Sequence, residues 1–323
     1  MKYLDPLYDS TTSLNVHDFC WQIIVNPNAM SGKGKQICEK IFTLLAENQI
    51  SFEKHIADGS GIGEKTVLNL CKSNKYHFIV FGGDGTLNEV INGILKSGVQ
   101  TDKVFVVPFP IGTGNDWSRT HAYPKNAVSV MDAFLNGYFA AHDVGCVKLI
   151  ENETITGIRY FINIAGFGFD AAVIEQTANG KSSFFSAATY IVSLLKVLFK
   201  YHSTNVLLQF PNQKVEAELF SLAVGICRYN GNGMKQVPMA NPYDGFLDVV
   251  LIRKISVAKA MANVVRLFRG KHLKIKEVSV YQTQSLILNA EPAIGCETEG
   301  EMLPKANIYD IKILAKSVQL LVI

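Results

Sequence analysis

Residues 82–89 read Gly-Gly-Asp-Gly-Thr-Leu-Asn-Glu and follow the apolar run 77–81. A strand that ends in glycines and opens into a helix presents bare backbone amides to an anion such as a phosphoryl group. Gly82, Gly83 and Gly85 permit close backbone approach and positive φ. Asp84, inside the turn, could meet Mg²⁺ directly or through water. Thr86 could cap the helix or touch a phosphate. Leu87, Asn88 and Glu89 complete the run. A second loop, 110–116, follows another apolar segment and supplies Gly112, Thr113, Gly114, Asn115 and Asp116. Thr113 there could donate to a phosphate or to a polar group of a nucleotide, and Asn115 and Asp116 begin a short helix. Earlier in the chain, Asn26 and Pro27 end a strand, and Ser31, Gly32, Lys33 and Gly34 open a helix. That third loop lacks the Gly-Lys-Ser/Thr ending of a Walker sequence, and Lys33 reads equally well as a solvated lysine. Each loop also has a plainer reading as a tight strand-to-helix turn, although a Gly-Gly-Asp-Gly-Thr run is more specific than a lone GxGxxG.

Two acidic stretches lie further on. Asp244-Gly245-Phe246-Leu247-Asp248 precedes a strand, and Asp244 in that turn could hold a cation together with nearby carbonyls. Glu297, Glu299 and Glu301 surround Gly300, a clustering that could supply a base for a hydroxyl acceptor. An ordinary aspartate-glycine turn and a solvated acidic turn are the bland alternatives. The seven histidines are scattered without a close pair, so no triad or metal site is expected from them.

The elements that must position these residues alternate in the first half. Strands are expected at 21–25, 52–57, 78–81 and 104–109. Helices are expected at 34–48, 63–73, 86–96 and 127–135, the first with Ile37, Ile41, Leu44 and Leu45 on one stripe. This βα repeat implies a mostly parallel sheet with both loops at the carboxyl ends of adjacent strands. The character changes near His142. Strands are expected at 159–165, 205–210, 219–226, 247–252, 274–281, 285–288, 311–313 and 318–323, interrupted by helices at 187–199 and 257–269. The expected division is an α/β domain at 15–141 and a β-rich domain at 142–307.

The 323 residues allow two domains, and a net charge of +3 is too weak to argue for nucleic acid. Six separated cysteines give neither a zinc pattern nor a disulfide framework, so buried free thiols in a cytoplasmic protein are expected. Residues 1–14 read as a loose arm without the apolar core of a signal peptide. The greasy stretch 184–199 is short for a membrane span and contains Lys196.

Taken in order, these motifs resemble the diacylglycerol kinase catalytic-domain family, which also includes sphingosine and ceramide kinases and bacterial soluble lipid kinases. The resemblance covers most of residues 21–323. It implies that 15–141, completed by about 308–323, is an NAD kinase/diacylglycerol kinase-like nucleotide-binding domain and that 142–307 is a β-rich lipid-substrate domain, with ATP and Mg²⁺ as cofactors. Asn26, Pro27, Gly32 and Lys33 resemble the first nucleotide loop, 82–88 the main ATP-binding sequence, and 110–116 the second loop. Residues 163–171 resemble the segment that opens the second domain. By the same match, Asn241, Asp244 and Phe246 would surround Mg²⁺, the first and last through carbonyls, with Asp84 and Asp116 helping at the transferred group. Glu301 matches the proton acceptor. Glu299 replaces the family's aspartate, and Ala57-Asp58 stands where threonine is usual. The implied reaction transfers the γ-phosphoryl group of ATP to a lipid hydroxyl, on diacylglycerol or a sphingoid or ceramide lipid. The rival readings are an NAD kinase or another soluble-metabolite kinase, and a non-catalytic lipid or nucleotide binder. A lipid substrate implies work at a membrane surface, with peripheral contact at its inner face. Residues 254–276 carry seven Lys/Arg and no acid around an amphipathic helix that could press on anionic lipid or pack on a sheet. A homodimer is a further, open expectation.

Overall fold

The computed structural model describes residues 11–30, 33–124, 126–178 and 197–323. The chain forms two compact units. The first comprises Met1–Val144, Pro242–Asp244 and Leu314–Ile323; the second comprises Gly145–Asn241 and Gly245–Ile313. The chain thus rejoins the first unit at Leu314, and the short stretch Pro242–Asp244 belongs to that unit as well.

In the first unit, β2 (Trp21–Val25), β3 (Phe52–Ile56), β4 (His77–Gly82) and β5 (Phe105–Pro110) pair in parallel in the order β5-β4-β2-β3. Residues 21–25 and 78–82 are buried throughout, as expected of parallel strands covered on both faces. Helices α1 (Lys33–Glu47), α2 (Ile62–Lys72), α3 (Asp84–Ser97) and α5 (Ala127–Asn136) supply the cover. Helices α2 and α3 approach so closely that a Cβ on Gly93 would lie 2.6 Å from the Glu64 carbonyl oxygen. Glu89 fixes their ends, accepting from the amides of Gly61 (2.8 Å) and Gly63 (2.9 Å). Gln319 and Leu320 of the last strand extend this parallel pairing, whereas the ladders among the strands of the second unit are antiparallel.

The second unit is the β-rich one. Strands β8 (Ile164–Gly168), β9 (Thr204–Phe210), β10 (Gln213–Gly225), β11 (Leu247–Arg253), β12 (Val278–Thr283) and β13 (Ser285–Thr298) enclose a core that includes Phe167, Leu208, Leu222, Val249, Leu288 and Tyr309. Helix α6 (Phe169–Ala178) follows β8, and α7 (Val257–Phe268) follows β11.

Several expectations need correction. Residues 12–13 are not loose: β1 (Thr12–Ser13) pairs with Phe139 and Tyr138. Strand β6 (Tyr138–Glu151) was not foreseen. The single strand expected at 159–165 is two, β7 (Thr154–Phe161) and β8, interrupted at Ile162 and Asn163. Residues 274–277 lie outside the strand, which begins at Val278. The strand begun at Ser285 continues to Thr298. The two terminal strands are one, β14 (Glu301–Leu321), whose Gln319 and Leu320 pair in parallel with Phe105 and Val106. Most of the helix expected at 187–199 lies outside the described residues. Five of the six cysteines are buried, Cys20 is exposed, and all six are free. Among the described residues, no helix is long and apolar enough to cross a membrane.

Candidate active site

The glycine loops of the first unit are held against each other by backbone contact. The Ile111 amide donates to the Gly82 carbonyl (3.0 Å). A Cβ on Gly112 would lie 2.5 Å from Gly83 Cα, closer than real Cβ contacts come, so glycine at 112 is a packing requirement. A Cβ on Gly82 would collide with the Thr86 side chain at 2.4 Å. Gly85 is different, because nothing lies within 4 Å of where its Cβ would be. The protein itself therefore does not demand glycine there, whereas a ligand approaching the backbone would.

Asp84 joins the loops electrostatically. Its two carboxylate oxygens accept from the amides of Asp116 (2.9 Å) and Trp117 (3.0 Å), the first residues of α4 (Asp116–Thr120). A carboxylate at a helix N-terminus satisfies orphan amides and opposes the positive end of the helix dipole. Helix α4 receives no side-chain cap from its own N-cap residue, Asn115. Asn115 sits at φ 53° and donates to the carbonyls of Gly112 (2.7 Å) and Pro110 (3.2 Å), shaping the loop from inside. The buried Asp116, expected near Mg²⁺, is paired with Arg119, which also donates to the Gly114 carbonyl.

Helix α3 begins at Asp84 with Gly83 as its N-cap and no side-chain cap, so Thr86 lies within the first turn and is not the cap. Thr86 is buried and accepts from Asn26 Nδ2 (3.2 Å), which ties the Asn26 loop to the 82–89 loop. Leu87 and Asn88 turn into the protein, where Asn88 Oδ1 accepts from Asn92 (3.1 Å). Pro27 opens a short 3₁₀ turn, Pro27–Met30. Ser31 and Gly32 lie outside the described residues, and Lys33 is the first residue of α1. Beside the second loop is a cavity of about 420 Å³ whose walls include Pro110, the exposed Thr113, Gly114, Asn115 and Tyr123.

One feature of this unit was missed. His121 and His142 are not scattered: their Nε2 atoms are 3.3 Å apart. His142 Nε2 also accepts from Trp117 Nε1 (3.3 Å), so its other nitrogen carries the proton toward the Asp143 carbonyl. Tyr243 bonds to His121 Nδ1 (3.3 Å). Burial of His142 pushes its pKa down to about 3 and keeps the ring neutral. The histidines are 21 residues apart in sequence, so only the tertiary fold could reveal the pair.

In the second unit, Glu299 and Gly300 form a two-residue hairpin turn between β13 and β14, both at positive φ (48° and 81°). Such turns favour Asn-Gly or Asp-Gly, and glutamate at φ 48° is strained. The Glu299 carboxylate offsets this by accepting from the amides of Ile162 (2.8 Å) and Asn163 (2.7 Å), where β7 and β8 are interrupted. Glu301 is ion-paired with the buried Arg159 side chain. Both carboxylates expected to serve as bases are thus engaged by the protein. Asp244 is exposed in a turn completed by Gly245 at φ 76°, with Asn241 half-buried and Phe246 exposed in the same loop.

Two further carboxyls stand together in this unit, the buried Glu297 and the half-buried Asp170, the second outside the sequence-based assignments. Glu297 accepts from the Gly300 amide (2.9 Å) and Asn230 Nδ2 (3.2 Å). Burial pushes its pKa up to about 7, with the Asp170 charge adding to the effect. Asp170 accepts from Ser221 (3.0 Å) and Gln236 (2.6 Å), and burial pushes it up to about 6. Gly166, opposite Glu297 in the ladder, makes room for both: its Cβ would lie 2.6 Å from Glu297 Oε1 and 2.8 Å from Asp170 Cβ. Asp170, Ser221 and Gln236 border an otherwise mostly apolar cavity of about 80 Å³ beneath α7. The available signal was that Asp170 is the only charged residue in the run 164–174.

Phosphate-type glycine loops on a parallel sheet, followed by a β-rich unit with a buried carboxyl, define a kinase-like two-part α/β protein. Residues 21–147 match the diacylglycerol kinase catalytic domain, and 163–322 match the YegS C-terminal NAD kinase beta sandwich-like domain. The chain belongs to the diacylglycerol kinase catalytic-domain family. It is 25% identical over 298 residues to the diacylglycerol kinase of Staphylococcus carnosus (strain TM300), covering 90% of this chain and 92% of that protein. The fold is similar to that of a diacylglycerol kinase from Bacillus anthracis str. Sterne, with a TM-score of 0.70 at 20% identity over 94% of this chain and 97% of that one. It is more distantly similar to yeast NADH kinase complexed with NADH, with a TM-score of 0.53 at 9% identity over 94% and 84% of the two chains.

Proposed function

We propose that this protein transfers the γ-phosphoryl group of ATP to the hydroxyl of a lipid. The observation that carries this reading is the open space at Gly85 beside the uncapped start of α3, between loops that Asp84 and Gly112 lock together. ATP supplies the phosphoryl group, and Mg²⁺ offsets charge on it when bound. Amides of the α3 first turn hold phosphate oxygens, and the cavity beside Thr113, Gly114 and Asn115 has the size of a small-molecule site. Asp244, with the carbonyls of Asn241 and Phe246, would offer oxygen donors of the kind a hard cation takes. Asp84 and Asp116 act first by fixing the loops.

The polar edge formed by Asp170, Ser221 and Gln236 under apolar walls suits an acceptor with a polar head on an apolar body, as diacylglycerol, sphingoid bases and ceramides all have. A cavity of about 80 Å³ is too small for such a molecule, so α7 must shift to admit it. The α7 side chains over the cavity, Ala260, Val264 and Leu267, are half-buried rather than fully enclosed. Glu301 then orients the hydroxyl and takes its proton, and Glu299 positions the turn that presents it.

The test is labelled ATP and Mg²⁺ with a lipid panel in mixed micelles, run on wild type and Glu301→Gln. One phosphorylated lipid, lost in the variant, is expected. Phosphorylation of NAD with no lipid product would replace this reading with that of a soluble-metabolite kinase.

A further inference from the structure

We infer that the outward face of α7 docks on an anionic lipid bilayer. Helix α7 is capped by Ser256, whose hydroxyl accepts from the Lys259 amide (3.4 Å). Ala260, Val264 and Leu267 face inward, lining the apolar cavity. At 100° per residue, Ala258, Ala262 and Val265 fall toward the other side together with Arg266 and Arg269, and Met261 lies on the flank between. Met261 is 43% exposed and Val265 59%. A surface helix ordinarily turns charged and polar side chains outward; α7 keeps Lys259 and Arg266 on its outer side but exposes Met261 and Val265 beside them. Phe199 adds to the apolar surface: it is 69% exposed and adjoins Leu198, which shares a cluster with Leu267 and Phe268.

Charge identifies what meets this face. The seven basic residues of 254–276 are all exposed, and the stretch contains no Asp or Glu. Lys254 and Lys259 are answered by Glu218 and Glu277. Arg266, Arg269, Lys271, Lys274 and Lys276 form no ion pair among the described residues. Basic residues rimming outward apolar side chains match a surface that is anionic outside and apolar beneath. A second copy of the chain is a poor fit, because a two-fold contact would bring two basic faces together.

The inference rests on the lipid-acceptor reading for its purpose, but docking can be measured without turnover. The experiment is sedimentation with phosphatidylcholine vesicles and with vesicles one-third phosphatidylglycerol, at low and high salt. The proteins are wild type, Met261→Gln/Val265→Gln and Arg266→Gln/Arg269→Gln, each checked for an unchanged thermal melt. Wild type should bind only the anionic vesicles, and salt should weaken the binding. Each basic residue removed should cost roughly fivefold in affinity, and the apolar pair should cost at least about tenfold. All three proteins should turn over a dispersed short-chain acceptor equally. Failure of wild type to bind at low salt, or binding by both variants at the wild-type level, would overturn the inference. So would a dimer that dissolves in the apolar variant, which would give the face to a second copy. Vesicle binding without any kinase activity would sink the proposed function and leave the docking face standing.

Discussion

Asp84 shows how one carboxylate can hold a site together. A residue inside a glycine turn is readily assigned to a metal, yet both its oxygens accept amides from the start of α4. The two assignments differ in what substitution does without ligand. In Asp84→Asn the side chain keeps one acceptor but turns an NH₂ group toward a backbone N–H. That should cost about 1–2 kcal/mol, read as a lower urea midpoint of the ligand-free protein, and nucleotide affinity should fall with it. If Asp84 served only a metal, the ligand-free midpoint would stay where it is. Glu299 follows the same logic: its added methylene relative to aspartate does not leave the carboxylate loose, because two amides of the β7–β8 interruption hold it.

At the scale of elements, the two loop glycines can be separated by experiment. Gly112→Ala forces a Cβ to 2.5 Å from Gly83 Cα and must push the loops apart. It should cost about 1–3 kcal/mol and weaken ATP binding. Gly85→Ala introduces no clash and replaces a helical glycine, so it should stabilise the fold by up to about 1 kcal/mol. If the open space is for phosphate, that same variant should lose ATP affinity. A more stable Gly85→Ala with unchanged affinity, measured by calorimetry, would remove the phosphate from this turn. The loops and βα units were legible because their signals are local: buried apolar runs broken by glycines. Strand β6 was not, since Ala140-Ala141-His142-Asp143 has little intrinsic strand preference and, apart from the hairpin with β7, its partners β1 and β14 are distant in sequence. The His121–His142 and Asp170–Glu297 pairs were invisible for the same reason, their members being separated by many residues and joined by tertiary packing. Glu301 could be picked out as a carboxylate, but nothing in the sequence tied it to Arg159.

Over the whole molecule, buried ionisable groups pull stability in opposite directions across mildly acid pH. Burial pushes His142 down to about 3 and His77 to about 4, so the folded state resists protons that the unfolded chain accepts below about 6.5. Their contribution is fully present above that pH and is lost as pH falls toward the folded pKa values. Asp170 and Glu297 are pushed up to about 6 and about 7, so the folded state keeps protons that the unfolded chain releases near pH 4. Their contribution is present at low pH and is lost as pH rises through 4 to 7. Near pH 5 the two pairs nearly cancel, which flattens the dependence on pH. Removing one side should expose the other. Relative to wild type, Glu297→Gln should gain stability as pH rises from 4.5 to 7.5, with a difference of about 1–3 kcal/mol at the upper end. His77→Phe keeps the ring stack with Phe19 and Phe105 and should gain as pH falls from 6.5 to 4.5. Urea midpoints at three pH values for the two variants decide the matter. Parallel curves for Glu297→Gln and wild type would mean that Glu297 is already ionised in the folded protein at neutral pH, its charge met by the Gly300 amide and Asn230.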